Sequence, residues 1–407
     1  METTATPQPQ AAPTAPVLRG GDIELSVVMP CLNEADTLEA CIRKAQHAIR
    51  EHAISAEIII ADNGSTDGSL QIAERLGARV VEVKERGYGH ALMGGISAAR
   101  GRFILMGDAD DSYDFGELPK FLNALREGND LVQGCRLPAG GGTVADGAMP
   151  FSHRWLGNPF FTQMVRTIFG APIHDVYCGM RAFTKAHYER LDLRCTGMEF
   201  ATEMVIRSAM LKSRIAEIPI TLHRDGRKSH APHLKTFRDG WRTLRFLLLY
   251  SPRWLFFTPG LCLMLLGAFG YALALPGVRI AHANLDAHTL LISTLLILIG
   301  YQGVIFSVST AVFATRAGLL PEDSTLNRWF DIFTLERGIV LGATMSLAGI
   351  VLLGCAVWQW WSVDFGNLDY ARTMRWVIPG TLLTALGAQT VFSSFFISIL
   401  GMRRKNG

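Results

Sequence analysis

Four long apolar runs in the last two-fifths of the chain restrict its folding more than any other feature. They lie at 254–275, 289–313, 339–361 and 376–400, and their interiors are almost free of charge. A helix needs ~20 apolar residues to cross a hydrocarbon core of ~30 Å, and each run is long enough. The bland alternative is a set of buried helices in a large soluble core. Four such runs so close together would leave too little polar surface to cover them. A transmembrane domain of four helices is therefore predicted over 254–402. Arg253 precedes the first run, Arg316, Arg328 and Arg337 lie between the second and third, and Arg403, Arg404 and Lys405 follow the fourth. The other two loops carry Arg279, Arg372 and Arg375. The positive-inside bias, weakened slightly by Arg372 and Arg375, puts both termini and the preceding half of the chain in the cytoplasm. The expected location is an inner cell membrane of bacterial type. So little intramembrane charge argues against a transport subunit, the non-enzymatic alternative.

Ahead of these runs the pattern is that of a soluble α/β protein. Residues 1–22, rich in Pro, Ala, Thr and Gln, have no apolar core and read as a disordered tail rather than a signal peptide. Short β-rich segments fall at Ser26–Pro30, Glu57–Asp62, Ala78–Val83, Arg102–Asp108 and Asp130–Gly134. Helical spacing lies between them, at about Ala35–Glu51, Ser69–Leu76 and Gly89–Arg100. Continuous β-branched runs separated by helices predict a Rossmann-like, mostly parallel sheet covered on both faces, here over 23–232. The seven scattered cysteines include no C-x-x-C pair, so neither a disulfide framework nor a zinc site is expected. A net charge of +3 is too small to point to nucleic acid.

In such sheets the ligand sits beyond the carboxyl ends of the strands. Three ends bring polar residues there: Pro30-Cys31-Leu32-Asn33-Glu34, Asp62-Asn63-Gly64-Ser65-Thr66-Asp67-Gly68 and Gly107-Asp108-Ala109-Asp110-Asp111. Aspartates at i and i+2 behind a buried strand suit one Mg2+ or Mn2+, hard cations that take oxygen ligands. A diphosphate leaving group needs such an ion to absorb charge as a glycosidic bond breaks. A lone D-x-D is usually a solvated loop. The position of Asp108 and Asp110 after a buried strand, beside the Asp62 turn, favours the metal reading. Asp62 can accept hydrogen bonds from a base or ribose, or it can serve an Asx-turn with Asp67 as a helix cap.

The runs SVVMPCLNEADTLEACI, ADNGSTDGS and GHALMGGISAARGRFILMGDADDSYD resemble an inverting family-two glycosyltransferase with the GT-A fold. The later runs GAPIHDVYCGMRAFTK, GMEFATEM and IPITLHRDGRKS resemble the dolichol-phosphate mannose synthase and polyprenyl-phosphate glucosyltransferase branch. The resemblance covers about residues 24–235. It implies a GDP-mannose or UDP-hexose type donor and a polyprenyl-phosphate acceptor. It also implies that Pro30, Asn33, Glu34 and Asp62 contact the nucleotide, and that Asp108 and Asp110 hold the metal and diphosphate. Arg136 and Arg154 match basic positions that handle phosphate, and Asp175 and Arg181 fall in a D-x-x-x-G-x-R pattern. Mannose synthases often carry a metal-binding glutamine where this chain has Ser112, so water or Asp111 would have to stand in for a third ligand.

A phosphate acceptor is already an anion near neutral pH and needs no general base to attack. The difficulty is repulsion between two phosphates, which favours nearby cations; Arg136, Arg154, Arg224, Arg227 and Lys228 fit that need. Asp110, Arg136, Arg154 and Glu199 are the expected catalytic group. Glu199 and Glu203 share a face if helical. They can be a base and its partner for a hydroxyl acceptor in polysaccharide or glycolipid synthesis, or they can orient basic side chains. A processive synthase is disfavoured because Arg154-Trp155 lacks the glutamine of Q-x-x-R-W. Between the halves, Leu234, Phe237, Trp241, Leu244 and Leu248 alternate with Lys235, Arg238, Arg242 and Arg245. That spacing predicts a basic amphipathic helix at the membrane surface over 233–253, against the alternative of a helix packed on the catalytic domain. His223, His230 and His233 lack neighbouring ligands and read as surface residues. Homo-oligomerisation stays open.

Overall fold

The computed structural model describes residues 23–227, 236–280, 283–316 and 334–402. The expected tail 1–22, Lys228, His230, His233, Leu234, Lys235, Arg328, Arg403, Arg404 and Lys405 lie outside the described residues, as do the side chains of Phe237 and Arg238. The chain forms two compact units that divide between Thr243 and Leu244, inside the helix Thr236–Leu249.

The first unit is built on a seven-stranded sheet. Its strands are β1 (Leu25–Cys31), β2 (Ala56–Asp62), β3 (Arg79–Glu82), β4 (Phe103–Met106), β5 (Leu131–Cys135), β7 (Arg181–Thr184) and β8 (Ile215–Pro219). Two-residue strands β6 (Thr143–Val144) and β9 (Thr221–Leu222) pair separately. The order is β3-β2-β1-β4-β7-β5-β8. All neighbours run parallel except β7, which is antiparallel to both β4 and β5. The mostly parallel α/β expectation is met. β1 has Leu25, Val27, Val28 and Met29 fully buried, as a strand covered on both faces must.

Helices α1 (Leu38–Glu51), α2 (Ser69–Arg75), α3 (Tyr88–Ala98) and α4 (Leu118–Arg126) follow the first four strands. In α1 the buried residues are Leu38, Cys41, Ile42, Ala45 and Ala48, a stripe at helical spacing that packs on the sheet. Helices α5 (Asn158–Phe169), α6 (Lys185–Leu191) and α7 (Glu199–Met210) complete the unit, and α8 (Thr236–Leu249) leads out of it. Strand order reverses between β1 and β4, so their carboxyl ends flank a crevice. Because β7 runs the other way, its first residue, Arg181, arrives at that same rim.

The second unit contains four helices long and apolar enough to cross a membrane among the described residues. They are Arg253–Ala274, whose regular part is α9 (Thr258–Ala274), α10 (Ala287–Arg316), α11 (Leu335–Trp361) and α12 (Tyr370–Gly401). Within each, an 18-residue stretch reaches a mean hydropathy of 1.7, 2.0, 2.2 and 1.6 respectively. A short hairpin, β10 (Arg279–Ile280) with β11 (Ala283–Asn284), links the first two. Between α11 and α12 the backbones touch: a Cβ at Gly342 would lie 2.6 Å from the Gly387 carbonyl oxygen. Such approach through small residues is how helices associate where no hydrophobic effect drives them together.

Candidate active site

The carboxyl end of β4 hands the chain directly to the acidic run. Asp108 is held from two sides. Its Oδ1 accepts a 2.9 Å hydrogen bond from the Tyr88 hydroxyl, at the start of α3. Its Oδ2 faces Gly179, where a Cβ would stand only 2.5 Å away. Burial, reinforced by the Asp110 charge, pushes Asp108 up to about 6. A half-buried acid pair of this kind is stabilised by a cation.

Asp110 Oδ1 accepts from the Ser112 hydroxyl at 2.6 Å and amide at 3.1 Å. Its Oδ2 lies 3.5 Å from Arg227 Nη2. Ser112, the position that departs from the mannose-synthase pattern, thus supports Asp110. Asp111 turns to α1 and receives a 2.8 Å bond from Lys44 Nζ. Among the described residues no group of three or more His, Cys, Asp and Glu could hold a metal. The donor set therefore fits a hard ion only as two carboxylates whose remaining ligands come from water or phosphate oxygens.

The rim formed by β1 and β2 is tied together by its own side chains. Pro30 is the half-buried residue of β1, buried Cys31 follows it, and Asn33 adopts φ 60°. Asn33 Oδ1 accepts from the Thr66 amide at 2.8 Å, and its own amide donates to Ser65 at 2.9 Å. Asp62 accepts from the amides of Gly64 and Ser65, forming the Asx-turn that was one of its two sequence readings. Asp67 accepts from the Ser69 amide at 3.0 Å, but the residue that caps α2 is Gly68, with φ 95° and no side-chain cap bond, so Asp67 supports the turn without being the helix cap.

The cations divide by their partners. Arg227 makes two 2.8 Å bonds to Glu34 and one of 2.9 Å to Asp225, so Glu34 and Arg227 face each other. Arg136 is buried and gives Nε and Nη2 to Asp175 at 2.7 and 2.9 Å; Nη1 reaches the Tyr113 hydroxyl at 3.4 Å. Arg224 donates to the Asp146 carbonyl. Arg154 lies over the Trp155 ring at 5.3 Å, and among the described residues no hydrogen bond or ion pair joins it to the acidic pair. Arg181 is fully buried and donates to the carbonyls of Ala201 and Cys178. Glu203 is also buried and accepts from the amides of Arg194 and Cys195 and from Arg207, in line with an orienting role. Glu199 stands in the first turn of α7. The structure thus gathers Glu34, Asp110 and Arg227 by direct contacts, with Asp108 close enough to feel the charges of Asp110, Arg227 and Arg136. It does not bring Arg154 or Glu199 into those contacts.

Tyr88 was not singled out from the sequence. A tyrosine between two glycines follows no spacing rule that marks it as polar support for a carboxylate.

Residues 26–192 match the pattern "Glycosyl transferase family 2", and residues 308–401 match "Glycosyltransferase family 2 C-terminal transmembrane region". The chain is 37% identical over 380 residues to the low-salt glycan biosynthesis hexosyltransferase Agl6 of Haloferax volcanii, covering 93% of this chain and 89% of that one. It is 33% identical over 198 residues to a dolichyl-phosphate hexose transferase of the same organism, covering 48% of this chain and 82% of that one. Among solved structures, glucosyl-3-phosphoglycerate synthase from Mycobacterium tuberculosis, in complex with Mn2+, UDP and glucosyl-3-phosphoglycerate, aligns with a TM-score of 0.44 at 22% identity, over 55% of this chain and 78% of that one. The same enzyme has been crystallised with Mg2+ and UDP. With family sequence running through both the sheet unit and the span unit, this chain belongs to glycosyltransferase family 2 and is a membrane-spanning glycosyltransferase.

Proposed function

We propose that the protein transfers one hexose, with inversion, from a nucleotide sugar to a polyprenyl phosphate at the cytoplasmic face of the membrane. The observation that carries this reading is the Asp108–Asp110 pair at the crevice between β1 and β4, with half-buried Arg227 against Asp110 and buried Arg136 acting on Asp108. Asp108 and Asp110 would hold Mg2+ or Mn2+, which when bound neutralises charge on the departing diphosphate. Pro30, Asn33, Glu34 and Asp62 line the strand ends where the nucleotide would lie. An acceptor phosphate oxygen forms the new bond to the anomeric carbon as the bond to the diphosphate breaks, and the nucleoside diphosphate leaves with the electron pair. A single displacement of this kind inverts the carbon. No proton has to be removed from the acceptor, so the chain's task is to offset repulsion between anions.

Arg227 and Arg136 suit that task in different ways. Arg227 already bridges Glu34, Asp225 and Asp110, so it can meet a phosphate by exchanging one carboxylate partner. Arg136 has two donors committed to Asp175, and its Nη1 makes only a long 3.4 Å bond to the Tyr113 hydroxyl that an anion could replace. Arg154 and Arg224 are further candidates for the acceptor phosphate. The lipid acceptor is supported by the four apolar helices and by the dolichyl-phosphate hexose transferase relative. A hydroxyl acceptor is the second reading. It is favoured by Glu199, whose carboxylate has no hydrogen bond or ion pair among the described residues and could serve as a base.

The test uses purified full-length protein in nanodiscs with Mg2+ or Mn2+, a panel of UDP- and GDP-sugars, and either undecaprenyl phosphate or short sugar alcohols. Nucleotide release and a sugar-bearing lipid with the phosphate acceptor are expected. Faster release with the alcohols would overturn the lipid-phosphate reading and turn attention to Glu199.

A further inference from the structure

Asp108 can serve a ligand only if its carboxylate is fixed, and the strand that carries it ends two residues earlier, at Met106. One oxygen is confined by the backbone of Gly179. The other is held by the Tyr88 hydroxyl, which donates across 2.9 Å. Tyr88 follows a loop whose residues Lys84, Glu85 and Arg86 are all exposed, so it needs an anchor of its own.

That anchor is Asn63, one residue past β2. Its Nδ2 donates to the carbonyls of Val83 and Glu85 at 3.0 and 2.7 Å, and its Oδ1 accepts from the Gly87 amide at 2.7 Å. The side chain is 6% exposed and spends both ends of its amide on this loop. Gly87 has φ 142°, and a Cβ there would lie 2.6 Å from the Thr196 carbonyl oxygen. The start of α3 is therefore clamped from below by Asn63 and from above by the 195–196 backbone.

We infer that Tyr88 is a positioning residue for this transferase: anchored by Asn63, it fixes the Asp108 carboxylate in one orientation and leaves the lone pairs it does not use for cation and diphosphate binding. The inference rests on the metal reading proposed above. Hydrogen bonds from outside the coordination sphere orient ligating carboxylates, and losing one typically weakens metal affinity by about 10- to 100-fold.

The experiment measures Mn2+ binding to the full-length protein in detergent by the loss of the free-ion EPR signal, with UDP and separately with GDP present. Wild type, Tyr88→Phe, Asn63→Ser and Asp110→Asn are compared, and each variant's thermal unfolding is recorded. Tyr88→Phe keeps the ring and should melt close to wild type while its Mn2+ affinity falls about tenfold or more. Asn63→Ser should shift affinity in the same direction. If Asp110→Asn loses Mn2+ while Tyr88→Phe binds it like wild type, the positioning role is wrong and the metal reading stands. If Asp110→Asn also binds like wild type, the metal reading falls and takes this inference with it. Should Tyr88→Phe fail to fold, Asn63→Ser decides, and wild-type affinity there overturns the inference.

Discussion

Replacing Asp175 by alanine isolates the most heavily bonded ion pair of the catalytic unit. Asp175 is fully buried and accepts from Arg136 Nε at 2.7 Å, Nη2 at 2.9 Å and the Arg136 amide at 3.1 Å, and from the Tyr177 amide at 3.2 Å. Asp175→Ala strands the Arg136 guanidinium, itself only 8% exposed, with Tyr113 at 3.4 Å as its remaining partner. Removing one partner of a buried pair costs about 3–5 kcal/mol. The 8% of Arg136 that stays exposed leaves its guanidinium some contact with solvent, which puts the expected loss near the low end, about 3 kcal/mol. For a unit of roughly 200 residues that is a fall in Tm of about 6–12 °C. The double variant Arg136→Met/Asp175→Leu removes both charges together and should recover much of the loss, because no ion is left desolvated. It should nevertheless stay inactive if Arg136 meets an anion during transfer. Thermal unfolding of the full chain in detergent, alongside nucleotide release, checks both statements. A melt of Asp175→Ala within about 2 °C of wild type, or a double variant less stable than the single, would refute the reasoning.

Gly179→Ala should cut transfer by about 100-fold or more, since its Cβ would fall 2.5 Å from Asp108 Oδ2; the overpacking should also cost about 1–3 kcal/mol in a melt. Asp111→Asn should retain transfer within about threefold, because Asp111 engages Lys44 in a half-exposed pair of about 1 kcal/mol or less. Asp110→Asn, assayed beside it, should lose transfer almost completely. His187 gives a pH signature: burial holds it down at about 4, below its ordinary 6.5. Its Nε2 bonds Ser208 and its Nδ1 meets Arg190, so the neutral ring is the one that fits. The unfolded state then binds the extra proton first, and this stabilisation is present above about pH 6.5 and lost as pH falls toward 4. Allowing for partial screening, the loss should be about 2 kcal/mol, read as a steeper acid-side fall in Tm than His187→Gln shows.

The apolar runs and the first five strands were legible because each is a local pattern with a simple cause. A hydrophobic run ends at the first charge, however, and a helix does not. α11 starts at Leu335 because Thr334 caps it, accepting from the Arg337 amide, and α12 starts at Tyr370 because Asp369 accepts from the Arg372 amide. Both lengthen the expected runs past charged first turns. β7 escaped notice because Arg-Ala-Phe-Thr is four residues long and opens with a charge, too short for any alternation to show. Its place between β4 and β5 is set by pairing across the sheet. The acidic run was readable from its strand-end position. That Arg136 spends its donors on Asp175, and Arg227 on Glu34, depends on long-range geometry that no spacing encodes.

The Arg227–Glu34 contact joins residues 193 positions apart, near opposite ends of the first unit's sequence. This has a consequence for the order in which the enzyme is made. A nascent chain that has reached Pro219 holds every strand of the main sheet, Asp108, Asp110 and the Asp175 turn. It still lacks the cation that faces Asp110, and Glu34 has nothing to neutralise it. The crevice is completed only when Arg227 is added, a short stretch ahead of the first apolar helix at Arg253. Synthesis therefore adds the last side chain of this crevice just before the first span that commits the chain to the bilayer.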